Sequence, residues 1–103
     1  MDVVQGDIWL LELPDQKPRP ALVVTRGHAL GVLHGLTVAR VTTTLRRGPT
    51  QVPLGPHEGL DRECVANFDD LVMVPRSALT VWVGHLGARR AELCAALSAL
   101  GDC

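Results

Sequence analysis

The 103-residue sequence has no tyrosine, one phenylalanine and two tryptophans, so it lacks the aromatic platform on which RNA-recognition modules stack bases. Cysteine is scarce too: Cys64, Cys94 and Cys103 are odd in number, widely spaced and free of any C-x-x-C pair, which argues against a disulfide framework or a zinc ribbon. His28, His34, His57 and His85 show no metal-ligand spacing. Neither G-x-x-x-x-G-K-[ST], G-x-G-x-x-G nor H-E-x-x-H occurs, and no metal or cofactor is expected. Apolar runs last only a few residues, far short of a membrane span, and no membrane partner is expected. The amino end has neither the basic region nor the long apolar region of a secretory signal, so the expected compartment is the cytoplasm.

What the chain does have is 47% apolar and 20% charged residues, a balance that folds. Its length fits one domain over residues 1–103, with one modest core and little room for an enclosed cofactor pocket. The net charge of −1 conceals an uneven distribution. No acidic residue occurs from Gln16 through His57, while Lys17, Arg19, Arg26, Arg40, Arg46 and Arg47 fall inside that stretch. A local charge of about +6 attracts polyanions. A solvated surface whose charges scatter on folding fits the same count.

Strand formers fill residues 6–13, and Pro14 to Pro18 close them with a turn. Residues 20–25 form a second strand and 33–44 a longer one, favoured by Val38, Val41 and the β-branched run Thr42, Thr43, Thr44. Residues 50–54 suit an edge strand because Pro53 cannot donate to a ladder. Residues 63–74 alternate and continue, and 80–84 form another strand. Ala88 to Leu100 reads as the one strong helix, with Leu93, Ala96, Leu97 and Leu100 on its apolar face. The expected fold is mainly β: a partly closed antiparallel barrel with a C-terminal helix packed on it.

Two constellations can carry chemistry. Cys64 with His57 as its base forms a conceivable nucleophilic pair, although a small buried hydrophobe on a strand describes Cys64 as well. The other is an arginine and threonine set. Arg19 leaves a loop bracketed by Pro18 and Pro20, which fixes its backbone at a rim. A guanidinium grips phosphate bidentately and stabilises charge building on its oxygens without a metal. Thr42, Thr43 and Thr44 alternate faces at a strand end, which directs one or two hydroxyls into a groove. A solvated rim arginine and ordinary strand threonines are the plain alternative.

The sequence also resembles the MazF/PemK (Kid-type) toxins of toxin–antitoxin modules. The motifs are Gly6-Asp7-Ile8-Trp9, then Arg19-Pro20-Ala21-Leu22-Val23-Val24, then Ala39-Arg40-Val41-Thr42 and Pro49-Thr50-Gln51-Val52. Residues Cys64 to Asp70, Val74-Pro75-Arg76 and Gly84-His85-Leu86 with the terminal helix complete the pattern, so nearly the whole chain is covered. The resemblance implies an SH3-like barrel, a homodimer, and a metal-independent endoribonuclease that cuts single-stranded RNA at short sequences and arrests growth. The ribose 2′-OH attacks the adjacent phosphorus, giving 2′,3′-cyclic phosphate and 5′-OH ends. Carried over by position, Arg19 contacts the scissile phosphate and Thr42 stabilises the transition state. Asp69 takes the acidic late-strand position that orients Arg19 or the nucleotide. Lys17, Arg40, Thr43, Thr44, Arg46, Arg47 and Asn67 become candidate RNA contacts.

Because a guanidinium stays charged at neutral pH, its electrostatic role is favoured over proton transfer. Asn67 departs from family members with arginine there, and the Pro14 to Pro18 loop is shorter than in many relatives. The partner implied is an acidic, partly disordered MazE-like antitoxin lying in the basic groove, with Arg19 and Arg46 as contacts. Trp9 and Trp82 are expected in the core or at a dimer contact. Two other readings use the same architecture: a CcdB-like non-enzymatic toxin that binds a topoisomerase, and a plain SH3-like protein-binding module.

Overall fold

Six strands and one helix make up the regular structure among the described residues, which in this computed structural model are 2–26, 35–45 and 48–101. The strands are β1 (Asp7–Leu11), β2 (Arg19–Val23), β3 (Gly35–Thr42), β4 (Gln51–Leu54), β5 (Cys64–Pro75) and β6 (Leu79–His85), and the helix is α1 (Arg90–Gly101). Every neighbour pairs antiparallel, in the order β4-β5-β3-β2-β1-β6. The expected β fold with a terminal helix is observed, and its sheet stays open, with β4 and β6 at opposite edges. Pro53 sits on edge strand β4, where its missing N–H costs no ladder bond.

Alternation along each strand feeds two cores, one on each face of the sheet. Ile8, Leu22, Ala39 and Val41 join the first, where Leu93 and Ala96 of α1 also pack. Trp9, Leu11, Ala21, Val23 and Val38 join the second. Strand β5 serves both because its register against β3 jumps between Ala39↔Leu71 and Arg40↔Asn67. Phe68, Asp69 and Asp70 are the three extra residues, an odd number, so the parity of β5 reverses across them. Cys64, Ala66 and Phe68 therefore face the first core, and Val72 and Val74 the second.

The opening Gly6-Asp7-Ile8-Trp9 has a physical reason. Gly6 takes φ +91, and its N–H donates to Val23 O at 2.9 Å. The buried Asp7 carboxylate accepts from the Val4 N–H at 2.9 Å, from Trp9 Nε1 at 3.3 Å and from Trp82 Nε1 at 3.4 Å. Of the two places expected for the tryptophans, core or dimer contact, Trp9 takes the core, and Trp82, on edge strand β6, lies outside it and is 51% exposed.

The helix departs from expectation in two ways. It starts at Arg90 because Gly87–Arg89 form a 3-10 turn first. Its buried residues are Leu93 and Ala96 alone, and Leu97 and Leu100 face outward. Arg89 anchors this end: it forms two hydrogen bonds with Glu92, donates to Pro53 O at 2.6 Å and pairs with buried Glu58 at 3.2 Å. Glu58 in turn accepts from the Gly55 N–H at 2.7 Å, which fastens the 3-10 turn Pro56–Glu58 to β4 and α1.

Candidate functional site

At the rim of the second core the sheet opens into a cleft of about 420 Å³. Strand pairing explains its lining, since directly opposed residues share a face. Leu11 opposes Arg19, and Arg40 opposes both Ala21 and Asn67. The β2–β3 register, extended two residues, sets Arg19 across from Thr42. Leu11, Arg19, Arg40, Thr42 and Asn67 accordingly converge on the cleft, with Asp70 at its edge. The β1–β2 connection completes it with Gln16 and Lys17. A turn closed by Gln16 N–H to Leu13 O at 3.2 Å, with Asp15 at φ 61, presents both.

A second hollow of about 220 Å³ lies beside the first and shares Arg19, Pro20, Val41 and Thr42 with it. Thr43, Leu60, Asp61, Arg62 and Cys64 form its remaining walls. Arg19 and Thr42 thus stand where the two hollows meet. Thr42 Oγ1 accepts the Thr44 N–H at 3.1 Å, a bond that orients the hydroxyl and leaves its proton available for a ligand. Thr44 lines neither hollow and contributes through its backbone.

Asn67 Oδ1 accepts the Asp69 N–H at 3.1 Å, so its amide nitrogen is left as a donor. Asp69 itself lines neither hollow: it accepts from Thr50 Oγ1 at 2.9 Å, and its neighbour Asp70 faces the cleft instead. Arg46 and Arg47 lie outside the described residues, as do His28, His34 and Cys103. Gln16, Asp70 and Arg62 were missed by sequence reasoning. Arg62 sits outside the acid-free stretch and between Asp61 and Glu63, which cancel its charge locally.

Cys64 is 4% exposed, and burial first, then the charge of Glu58, pushes its thiol above the usual range. That describes a core residue and a poor thiolate nucleophile. No helix among the described residues is long and apolar enough to cross a membrane.

Fold and cleft together define a small open-sheet β protein with three cations, Lys17, Arg19 and Arg40, in one hollow. The chain belongs to the PemK-like, MazF-like toxins of type II toxin–antitoxin systems, whose family profile matches residues 4–100. It is 31% identical over 101 residues to the probable endoribonuclease MazF5 of Mycobacterium tuberculosis, covering 96% of this chain and 93% of that protein. Endoribonuclease MazF3 of the same organism is 36% identical over 70 residues, 68% of each chain. Among solved structures, the Mycobacterium tuberculosis toxin MazF-mt6 superposes with a TM-score of 0.83 at 31% identity, covering 93% of this chain and 96% of that one. An endoribonuclease in complex with its cognate antitoxin, from a mycobacterial species, superposes at 0.81 with 25% identity, covering 97% and 96%.

Proposed function

We propose that this chain is a cytoplasmic endoribonuclease toxin that cuts single-stranded RNA across the junction of the two hollows. The observation that carries this reading is the shared position of Arg19 and Thr42, each lining both hollows. A strand laid through the groove has one phosphate at that junction and a nucleotide in each hollow. The 2′-OH on one side gives its proton to solvent water and attacks phosphorus, and the bond to O5′ breaks as that oxygen takes a proton from water. Arg19 neutralises the non-bridging oxygens as charge builds, and the oriented Thr42 hydroxyl donates to one of them. Positioning the three reacting atoms in line supplies the rest of the rate enhancement. Lys17, Arg40, Thr43 and Asn67 hold the flanking nucleotides.

The same cations suit an acidic antitoxin segment, which would occupy the groove in place of RNA and silence the enzyme. The relative solved with its cognate antitoxin supports this partner, and the proposed acting assembly is a homodimer. Val81 and Trp82, exposed on β6 at the edge of the sheet among the described residues, support a face that another protein covers.

The test is digestion of single-stranded RNA in EDTA with the ends mapped. Cleavage leaving 5′-OH and 2′,3′-cyclic phosphate ends is expected, and Arg19→Ala and Thr42→Ala are expected to be inactive with unchanged circular dichroism. Full activity in either variant overturns the site assignment. Intact RNA beside a trapped cleaved-DNA complex overturns the enzymatic reading in favour of a topoisomerase poison.

A further inference from the structure

Phosphate binding leaves one group of the larger hollow unexplained. Asp70 is a carboxylate beside three cations, and it would repel the phosphate oxygens that those cations attract. The three-residue insertion in β5 delivers it there: Phe68 is buried in the first core, Thr50 holds Asp69 outside, and Asp70 is left facing the cleft. Arg40 stands beside it with Nε 3.8 Å from Asp70 Oδ1, an ion-pair separation too long for a hydrogen bond. That Nε is buried and has no hydrogen-bond partner. The pair is therefore incomplete as a structural contact, and the exposed parts of both side chains, 37% for Arg40 and 50% for Asp70, line the cleft where a ligand can meet them.

We propose that Asp70 and Arg40 are the specificity-determining pair of the groove, reading the Watson–Crick edge of a guanine next to the cut. The proposal rests on the reading of this cleft as an RNA-cleavage site. Guanine alone among the four bases presents two adjacent N–H donors, N1 and N2, which match the two oxygens of a carboxylate. Its O6, beside N1, accepts from Arg40, and Asn67, which lines the same hollow with its Oδ1 already engaged by the Asp69 N–H, has its amide nitrogen left as a further donor. Adenine and cytosine place a ring acceptor against the second carboxylate oxygen. Uracil keeps one N–H for the carboxylate and one carbonyl for Arg40, but it sets its second carbonyl against the other carboxylate oxygen and forfeits the bidentate contact. Bases of a single strand are read on this edge, and a site whose buried polar groups lose their partners discriminates steeply.

The test uses full-length protein and two substrate sets. The first is an RNA library randomised around the cut, with cleavage rates read for each base. The wild type is expected to favour guanine over uracil at one flanking position by about tenfold or more, the discrimination of one good bidentate pair. Asp70→Asn is expected to shrink that ratio to within about twofold, because an amide offers one acceptor oxygen where the carboxylate offered two. Arg40→Lys, which keeps the charge and loses the planar fork, is expected to weaken the same preference. Melting temperatures confirm that both variants fold.

The second set is oligonucleotides with every 2′-OH replaced by hydrogen, which bind and are not cut. Guanine-selective binding that disappears in Asp70→Asn supports the base pocket even where the wild type cleaves no RNA, an outcome that overturns only the catalytic reading. RNA cleavage with some other base favoured at both flanking positions, or with the wild-type preference unchanged in Asp70→Asn, overturns the base pocket and leaves the catalytic reading standing.

Discussion

Thr50 Oγ1 donates to Asp69 Oδ2 at 2.9 Å, and this bond holds Asp69 outside the groove that Asp70 enters. Asp69→Ala removes an exposed neutral-to-charged hydrogen bond, a loss of about 1 kcal/mol in urea unfolding. Its effect on cleavage is expected to stay within about tenfold, set by the slackening of β4 against β5, while Arg19→Ala abolishes cleavage. Equal losses in the two variants would restore Asp69 to the reacting centre.

The pairing at the start of α1 makes stability depend on acid. The hydrogen bond from Arg89, with its charge as a smaller contribution, holds the Glu92 carboxyl below its ordinary value of 4.5, against a partial opposing effect of burial. A carboxyl depressed in the folded state contributes stability above its unfolded pKa and loses it as pH falls through the folded one. Glu92→Gln is therefore expected to lower the melting temperature slightly and by a constant amount above about pH 5. The gap to wild type should close below the ordinary value of 4.5. A gap that widens in acid would reverse the sign.

How much of this was legible in the sequence follows from where each residue gets its position. Arg19 and Thr42 were legible because strand ends and flanking prolines fix them locally, and Pro53 because an edge strand tolerates what a central one does not. The resemblance places Asp69 in the acidic late-strand position, and nothing in a period of two announces that three extra residues in β5 turn Asp70 toward the groove instead. Leu97 and Leu100 share a helical face with Leu93 and Ala96, but spacing alone does not reveal that only the latter pair is buried. Arg62 needed the fold itself: the 3-10 turn Pro56–Glu58 and the loop after it carry it to Arg19 from more than forty residues away in sequence.

The loop bearing Arg62 hangs from a close backbone contact. A Cβ at Gly84 would overlap the Glu58 carbonyl oxygen, and one at Gly59, at φ +92, would press less severely but still too closely on Val83 O. Backbone on both sides leaves no flexible group to yield, so Gly84→Ala is expected to cost about 3 kcal/mol, the upper range of overpacking. Chemical denaturation reads the loss. Because Leu60, Asp61 and Arg62 follow this turn into the smaller hollow, RNA cleavage should fall more than the unfolded fraction accounts for. Normal stability in Gly84→Ala would show that the turn and β6 separate without cost.

Arg19→Lys separates charge from shape at the reacting phosphate. Pro18 and Pro20 confine the backbone on either side of Arg19, and β1 supports it through the Leu11↔Arg19 pair, so the backbone that carries the guanidinium is fixed before RNA arrives. Lysine at this position retains the attraction that draws RNA into the groove and loses the two parallel donors that meet charge growing on two phosphate oxygens. Binding of an uncleavable oligonucleotide, measured by fluorescence anisotropy, should weaken by only a few-fold, consistent with a retained phosphate charge. Single-turnover cleavage should slow by about 100-fold, the order of losing one preorganised transition-state donor. A loss confined to binding would make Arg19 a docking cation and leave transition-state stabilisation to Thr42. A lysine variant as fast as wild type would show that charge alone suffices at the junction of the two hollows.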